Sequence, residues 1–141
     1  MKKNIQLCLI LFFLSLNIVS AQDKYIGVWQ KGNYGYALIP GVEWSTFNTE
    51  YTRITNEGMR LTDIETYTKN GKRYYISVWK EGSGKHACIA AKEWIPFNEE
   101  WTRLSGEGYR LTDIETYSEG GKRYYLSVWG AGTDAHTMLP P

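Results

Sequence analysis

Residues 57–79 read Glu57-Gly-Met-Arg-Leu-Thr-Asp-Ile-Glu-Thr-Tyr-Thr-Lys-Asn-Gly-Lys-Arg-Tyr-Tyr-Ile-Ser-Val-Trp79. Fifty residues later the chain reads Glu107-Gly-Tyr-Arg-Leu-Thr-Asp-Ile-Glu-Thr-Tyr-Ser-Glu-Gly-Gly-Lys-Arg-Tyr-Tyr-Leu-Ser-Val-Trp129. The tail of the same unit stands once more at Tyr25-Ile-Gly-Val-Trp29. From Glu43 to Trp79, 25 of 37 positions match the residue fifty places on. Self-similarity at a fixed period of this length marks a repeat architecture.

Within the stretch, Asn70-Gly71 and Gly120-Gly121 separate runs rich in Thr, Ile, Tyr and Val. Such dipeptides suit type I′ hairpin turns, which need positive φ at both central residues. The strands predicted around the first turn are Arg60 to Tyr67 and Lys72 to Lys80. Upstream the period changes. Phe47, Tyr51 and Ile54 fall at i, i+4 and i+7, and Phe97, Trp101 and Leu104 repeat them. That spacing is one face of a helix. Pro96 suits a first helical turn, and Gly58 and Gly108 sit where a left-handed cap would stop each helix. Looser turns at Gly82-Ser-Gly84 and Gly130-Ala-Gly132 lead to third strands at about His86 to Ala91 and Ala135 to Leu139. At the front, Tyr25 to Gln30 and Asn33 to Ile39 read as two more strands, the second ended by Pro40-Gly41.

The expected class is α+β: a tandem repeat of one helix plus a three-stranded antiparallel meander, either propeller-like or a stacked β-rich repeat. Units run over 43–92 and 93–141, with a partial unit at 25–42. Together they form a single repeat domain over 22–141.

The first 21 residues carry another message. Lys2 and Lys3 precede an apolar run from Ile5 to Leu16, and Val19-Ser20-Ala21 places small residues at −3 and −1. This pattern predicts a secretory signal peptide, cleaved after about Ala21, and hence a secreted or periplasmic protein. The run is shorter than the roughly 20 residues of a membrane span. Loss of Lys2 and Lys3 leaves 14 Lys+Arg against 15 Asp+Glu. Without clustered positive charge, nucleic acid is not an expected partner. Cys88 is then a single cysteine, so no intramolecular disulfide is available. Its apolar setting, Ala87-Cys-Ile-Ala90, suits a buried thiol.

Chemistry is harder to place. On the middle strands, Arg73, Tyr75, Ser77 and Trp79 alternate with Tyr74, Ile76 and Val78, and copy two repeats this with Arg123, Tyr125, Ser127 and Trp129. The aliphatic side is core. The Tyr-x-x-x-Trp side has two readings. As a platform for sugar rings or an extended peptide, Tyr75, Trp79, Tyr125 and Trp129 would bind ligand, with Arg73 and Arg123 beside them. As packing, the same rings would lie beneath the helix or between units, which strict repetition favours.

Asp63, Glu65, Asp113 and Glu115 form repeated carboxylate pairs. Paired carboxylates serve glycoside hydrolysis, but ion pairs with Arg60 or Arg73 are the simpler expectation. His86 and His136 fall short of the three or four ligands of a zinc site. Gly-x-Ser-x-Gly, Ser-x-x-Lys, His-Glu-x-x-His and phosphate-loop patterns do not occur. No motif points to a cofactor or a metal.

The pattern Phe-x3-Trp/Tyr-Thr-Arg-Leu/Ile-x2-Glu-Gly-Tyr/Met-Arg-Leu-Thr-Asp-Ile-Glu-Thr-Tyr, then Gly-Lys-Arg-Tyr-Tyr-x-Ser-Val-Trp, resembles a bacterial tandem repeat family. These repeats stand beside β-lactamase-like serine hydrolase domains, as in polyglycine hydrolases. The resemblance runs across Phe47 to Trp79 and Phe97 to Trp129. It implies a non-catalytic, propeller-like accessory region. The hydrolase's Ser-x-x-Lys nucleophile has no counterpart here, so no catalytic residue carries over.

The expected function is therefore a secreted, non-catalytic repeat module that binds an extracellular polymer, either carbohydrate or extended peptide. The alternatives are an interaction protein that assembles with a partner or with its own copies through sheet edges, and an accessory or inhibitor of a secreted hydrolase.

Overall fold

The computed structural model describes residues 31–139. The expected signal segment and the strand Tyr25 to Gln30 lie outside the described residues. The elements run β1 (Tyr36–Val42), α1 (Trp44–Asn56), β2 (Met59–Lys69), β3 (Lys72–Glu81), β4 (His86–Lys92), α2 (Trp94–Gly106), β5 (Tyr109–Glu119) and β6 (Lys122–Ala131).

Each helix forms for the reason its spacing suggests. Phe47 and Ile54 in α1, and Phe97 and Leu104 in α2, are the buried stripe. On the solvent side Arg53 bridges Glu50 and Glu57, and Arg103 bridges Glu100 and Glu107. Neither helix has a side-chain N-cap. The cap residues Glu43 and Glu93 instead pair with Lys72 and Lys122 on the hairpins, at 2.8 and 2.7 Å. Gly58 and Gly108 take positive φ where the helices stop, as do both residues of each hairpin turn. A Cβ is strained in this region, which is why glycine dominates these turns.

Two three-stranded antiparallel sheets result, ordered β1-β3-β2 and β4-β6-β5. The tandem α+β class holds. The membership of the third strand is a finding of its own. Each sheet takes it from the residues before its helix, so β4 leaves the β2–β3 hairpin behind and pairs with β6. The structural units are therefore 36–81 and 86–131, one strand out of phase with 43–92 and 93–141.

Two further details depart from the expectation. The strand entered near Asn33 does not end at Pro40-Gly41 but runs to Val42 across a register shift between Ile39 and Val42. Edge strands tolerate proline at such irregularities because no ladder donor is lost there. Residues 135–139 carry no strand.

A bulge between Leu61 and Asp63, repeated between Leu111 and Asp113, decides which way β2 and β5 face. It sets Leu61 opposite Trp79 and Ile64 opposite Ser77, on one side of the sheet. Asp63 and Glu65 then fall opposite Val78 and Ile76, on the other side. Thr62 Oγ, at the bulge, donates to the Val78 carbonyl at 3.0 Å.

The first sheet thus has a helix face (Ile39, Leu61, Ile64, Tyr75, Ser77, Trp79) and an outer face (Tyr36, Leu38, Asp63, Glu65, Ile76, Val78). The second sheet repeats both. The core joins the two units: Phe47 and Ile54 of α1 and the helix face of the first sheet pack with Leu126 and Val128 from the outer face of the second.

Candidate functional site

The repeated aromatic face lies under the helices. Trp79 and Trp129 are both 0% exposed, and Tyr75 and Tyr125 are buried. The Trp79 indole Nε1 donates to Ser77 Oγ at 2.9 Å, and Trp129 to Ser127 at 2.7 Å. Tyr75 meets Trp44 edge-on at 5.1 Å, and Tyr51 meets Trp79 edge-on at 5.4 Å. Tyr125 stacks on Phe97 at 5.2 Å, and Trp101 meets Trp129 at 5.4 Å. A ring at this depth has no surface for a sugar or a peptide, so the platform expected of Tyr75, Trp79, Tyr125 and Trp129 is corrected to a packing role. A helix that must bury a stripe needs a large apolar partner, and these rings are it.

His86 belongs to the same packing. Its ring lies 5.4 Å from Tyr51, and Nε2 sits 3.2 Å from Thr55 Oγ1. Burial, with Arg60 nearby, holds its pKa below the ordinary value. His136 repeats the arrangement with Trp101 and Ser105. Among the described residues no group of three or more His, Cys, Asp and Glu side chains is placed to hold a metal ion.

The two arginines part company. Arg73 lies in the junction between the sheets, its guanidinium carbon 3.3 Å from the Tyr117 ring centroid. Its Nη1 donates to Thr66 Oγ1 at 3.0 Å, and Glu119 approaches at 3.9 Å. Arg123 occupies the same place in the second unit and is exposed.

The carboxylates also differ from expectation. Arg60 donates to the carbonyls of Gly84, Thr55 and Met59 rather than to Asp63. Asp63 and Glu65 instead meet Asp113 and Glu115 of the other unit. Burial first, and then the Asp113 carboxyl within hydrogen-bond reach, push the Asp63 pKa up. Burial and the neighbouring Glu115 push Glu65 up as well. Two adjacent carboxyls, one with a raised pKa, are chemically capable of acid–base work. Here the pair helps to join the units: Asp113 Oδ2 accepts from the Ile64 backbone N–H at 3.1 Å.

The family model for the polyglycine hydrolase-like structural repeat matches residues 35–82 and 96–131, more than half of the 141 residues. The chain belongs to that family. The first matched segment coincides with the structural unit from β1 to β3, and the second begins within α2. Neither the curated proteins nor the solved structures contain a match to the chain.

In this polyglycine hydrolase-like repeat, the unequal surroundings of equivalent residues define the candidate interaction surfaces. Ile64 is 1% exposed because the second unit covers it, whereas Ile114, its twin, is 39% exposed. Leu126 and Val128 are fully buried on the outer face of the second unit, whereas Ile76 and Val78 are only half-buried on the first. Leu38, equivalent to the half-buried Cys88, is 53% exposed. Among the described residues, the helix face of the first sheet and the outer face of the second are covered between the units, whereas Ile114 and Leu38 stay exposed on the other two.

Proposed function

We propose that this chain is a secreted, non-catalytic interaction module that binds protein partners through its two open faces. The observation that carries the proposal is the contrast between Ile64 and Ile114, identical residues in identical sequence contexts with opposite exposure. Apolar surface left open on a folded unit, rimmed by polar groups, characterises association sites. Faces suit this role better than the sheet edges. The β1 edge is blunted by Pro40 and by its register shift, a common protection against strand addition.

Site-directed photo-crosslinking in the producing cells tests the proposal. A photoreactive residue at Leu38 or at Ile114 is expected to form adducts whose crosslinked peptides come from a folded partner's apolar face. The same residue at Thr52, on the exposed side of α1, serves as control. Adducts no more frequent at the two faces than at Thr52 would contradict the proposal.

A polymer ligand is favoured by a different observation. Tyr34 and Tyr36 are exposed, meet edge-on at 5.8 Å, and have Lys80 Nζ 3.8 Å over the Tyr34 ring. Exposed aromatics flanked by a cation suit a sugar or peptide chain. Affinity electrophoresis in gels cast with extracellular polysaccharides would show retardation that Tyr34→Ala with Tyr36→Ala removes. Unretarded migration of the unaltered chain in every gel would count against this reading.

A further inference from the structure

The junction inside the chain shows what the first unit receives from the second. Ile64 lies on β2, an edge strand of its sheet, and its backbone N–H donates to Asp113 Oδ2 at 3.1 Å. Four residues on from Asp113, the Tyr117 ring lies 3.3 Å from the Arg73 guanidinium carbon. Glu119 approaches the same arginine at 3.9 Å. Asp113, Tyr117 and Glu119 stand at i, i+4 and i+6 of β5, so one face of an extended strand carries all three. The occupant of this receiving set is thus an extended segment of the pattern Asp-x-x-x-Tyr-x-Glu.

The receiving set is repeated in the second unit, where Ile114, Thr116 and Arg123 stand for Ile64, Thr66 and Arg73. β5 is an edge strand like β2. Ile114 is 39% exposed, and Thr116 and Arg123 are exposed as well. Among the described residues Arg123 has no ion-pair partner; Glu119, four positions away, reaches toward Arg73 instead. An apolar side chain and an unpaired cation are therefore open in the arrangement that holds Asp113 and Tyr117 one unit earlier.

We propose that the Ile114 and Arg123 face binds an extended acidic and aromatic segment of a protein partner, of the pattern Asp-x-x-x-Tyr-x-Glu. This rests on the interaction-module reading and names the chemistry of the partner. The partner's aspartate takes the place of Asp113 at the Ile114 backbone N–H. Its ring lies against the Arg123 guanidinium, a cation–π contact of the kind Arg73 makes. Its glutamate supplies a carboxylate for the same cation, and a charge-assisted bond of this type is stronger than a neutral one. The partner is a different polypeptide, because both copies of the pattern in this chain are engaged. Asp113 and Tyr117 are held in the junction. Asp63 lies beside Asp113, Tyr67 has interactions of its own, and Lys69 stands where the glutamate would be.

The probe is a capped synthetic peptide, Leu-Thr-Asp-Ile-Glu-Thr-Tyr-Ser-Glu, which copies residues 111–119. It is titrated to millimolar concentration into the purified, nitrogen-15-labelled chain and followed by two-dimensional NMR. Saturable shifts are expected at the Ile114 amide and the Arg123 Nε, with Ile64 and Arg73 unmoved because their own occupant is covalently tethered. Arg123→Ala should weaken the peptide by roughly fivefold, the size of an exposed cation–π contact. Arg123 is exposed, so the variant is expected to fold, with far-ultraviolet circular dichroism as the check. Peptides with Asn for the aspartate or Ala for the tyrosine should bind more weakly to the unaltered chain, which tests the same contacts without altering the protein. Absence of saturable shifts at Ile114 and Arg123, shifts at Ile64 and Arg73 instead, or equal affinity for all three peptides would overturn the proposal. Such a result, together with specific crosslinks at Leu38 and Ile114 to a partner without this pattern, would remove the acidic and aromatic ligand and leave the interaction-module reading standing.

Discussion

Trp79 donates its indole N–H to Ser77 Oγ at 2.9 Å, and both side chains are fully buried. The two residues are neighbours on one face of β3, two positions apart. A tryptophan buried beneath a helix brings one polar atom with it, and that atom must be paired. The serine supplies the partner from the same strand, independent of any other element. This is why Ser-Val-Trp recurs as a block at Ser127-Val-Trp129, where the bond is 2.7 Å.

Ser77→Ala should therefore destabilise the fold by about 1–3 kcal/mol, the cost of leaving a buried donor unpaired. Ser127→Ala should cost a similar amount. Urea denaturation followed by tryptophan fluorescence measures both. An unchanged midpoint for either would mean that the indole finds another acceptor.

The thiol of Cys88 should be unreactive in the folded protein. Burial, with a smaller effect of Asp113, pushes its pKa up to about 12. The thiolate is the nucleophilic form, so little of it exists near neutrality. Alkylation at pH 8, located by peptide mass, should be slow in native buffer and complete within minutes in denaturant. Rapid native labelling would show that the second sheet lifts readily off α1.

The carboxyl cluster at the junction gives a pH dependence with a definite sign. Asp63 has a folded pKa above its ordinary value of 3.8, through burial and the Asp113 carboxyl. The protonated form is thus favoured by folding. The stability linked to it is fully present below the unfolded pKa and is lost as pH rises through the raised folded value. Asp63→Asn removes this loss. The variant should gain stability over the unaltered chain at pH 7, and the difference should shrink toward pH 4. The depressed pKa of His86 acts in the opposite direction, with stability lost as pH falls below its ordinary 6.5. It is common to both proteins and cancels in the difference. Thermal melts of the pair at a series of pH values provide the comparison, and a difference that grows toward pH 4 would contradict the assignment.

Much of this was legible in the residues. The helices followed from Phe47, Tyr51 and Ile54, and the hairpins from Asn70-Gly71 and Gly120-Gly121, because both signals are local. The repeat family was legible because its motif is long. Three things were not. The transfer of His86–Lys92 to the second sheet is a long-range pairing, and no local signal distinguishes it from a simple meander. The bulge at Thr62 breaks strict alternation, so Leu61 and Ile64 share a face that counting by twos denies them. The meeting of Asp63 with Asp113 depends on how the units stack. Sequence repetition also predicts equal environments for equal residues, whereas the two described units have different neighbours.

Ile64 and Ile114 test the central claim most directly. The claim is that identical residues are covered in one unit and open in the other, which leaves two faces for partners. Equilibrium urea denaturation of Ile64→Ala and Ile114→Ala, at dilutions where the chain sediments as a monomer, compares them. Ile64→Ala should cost about 2–5 kcal/mol, as for a buried large-to-small change. Ile114→Ala should stay close to the roughly 0.5 kcal/mol typical of surface sites. Equal losses at the two positions would contradict the account, because Ile114 would then be as well covered as Ile64.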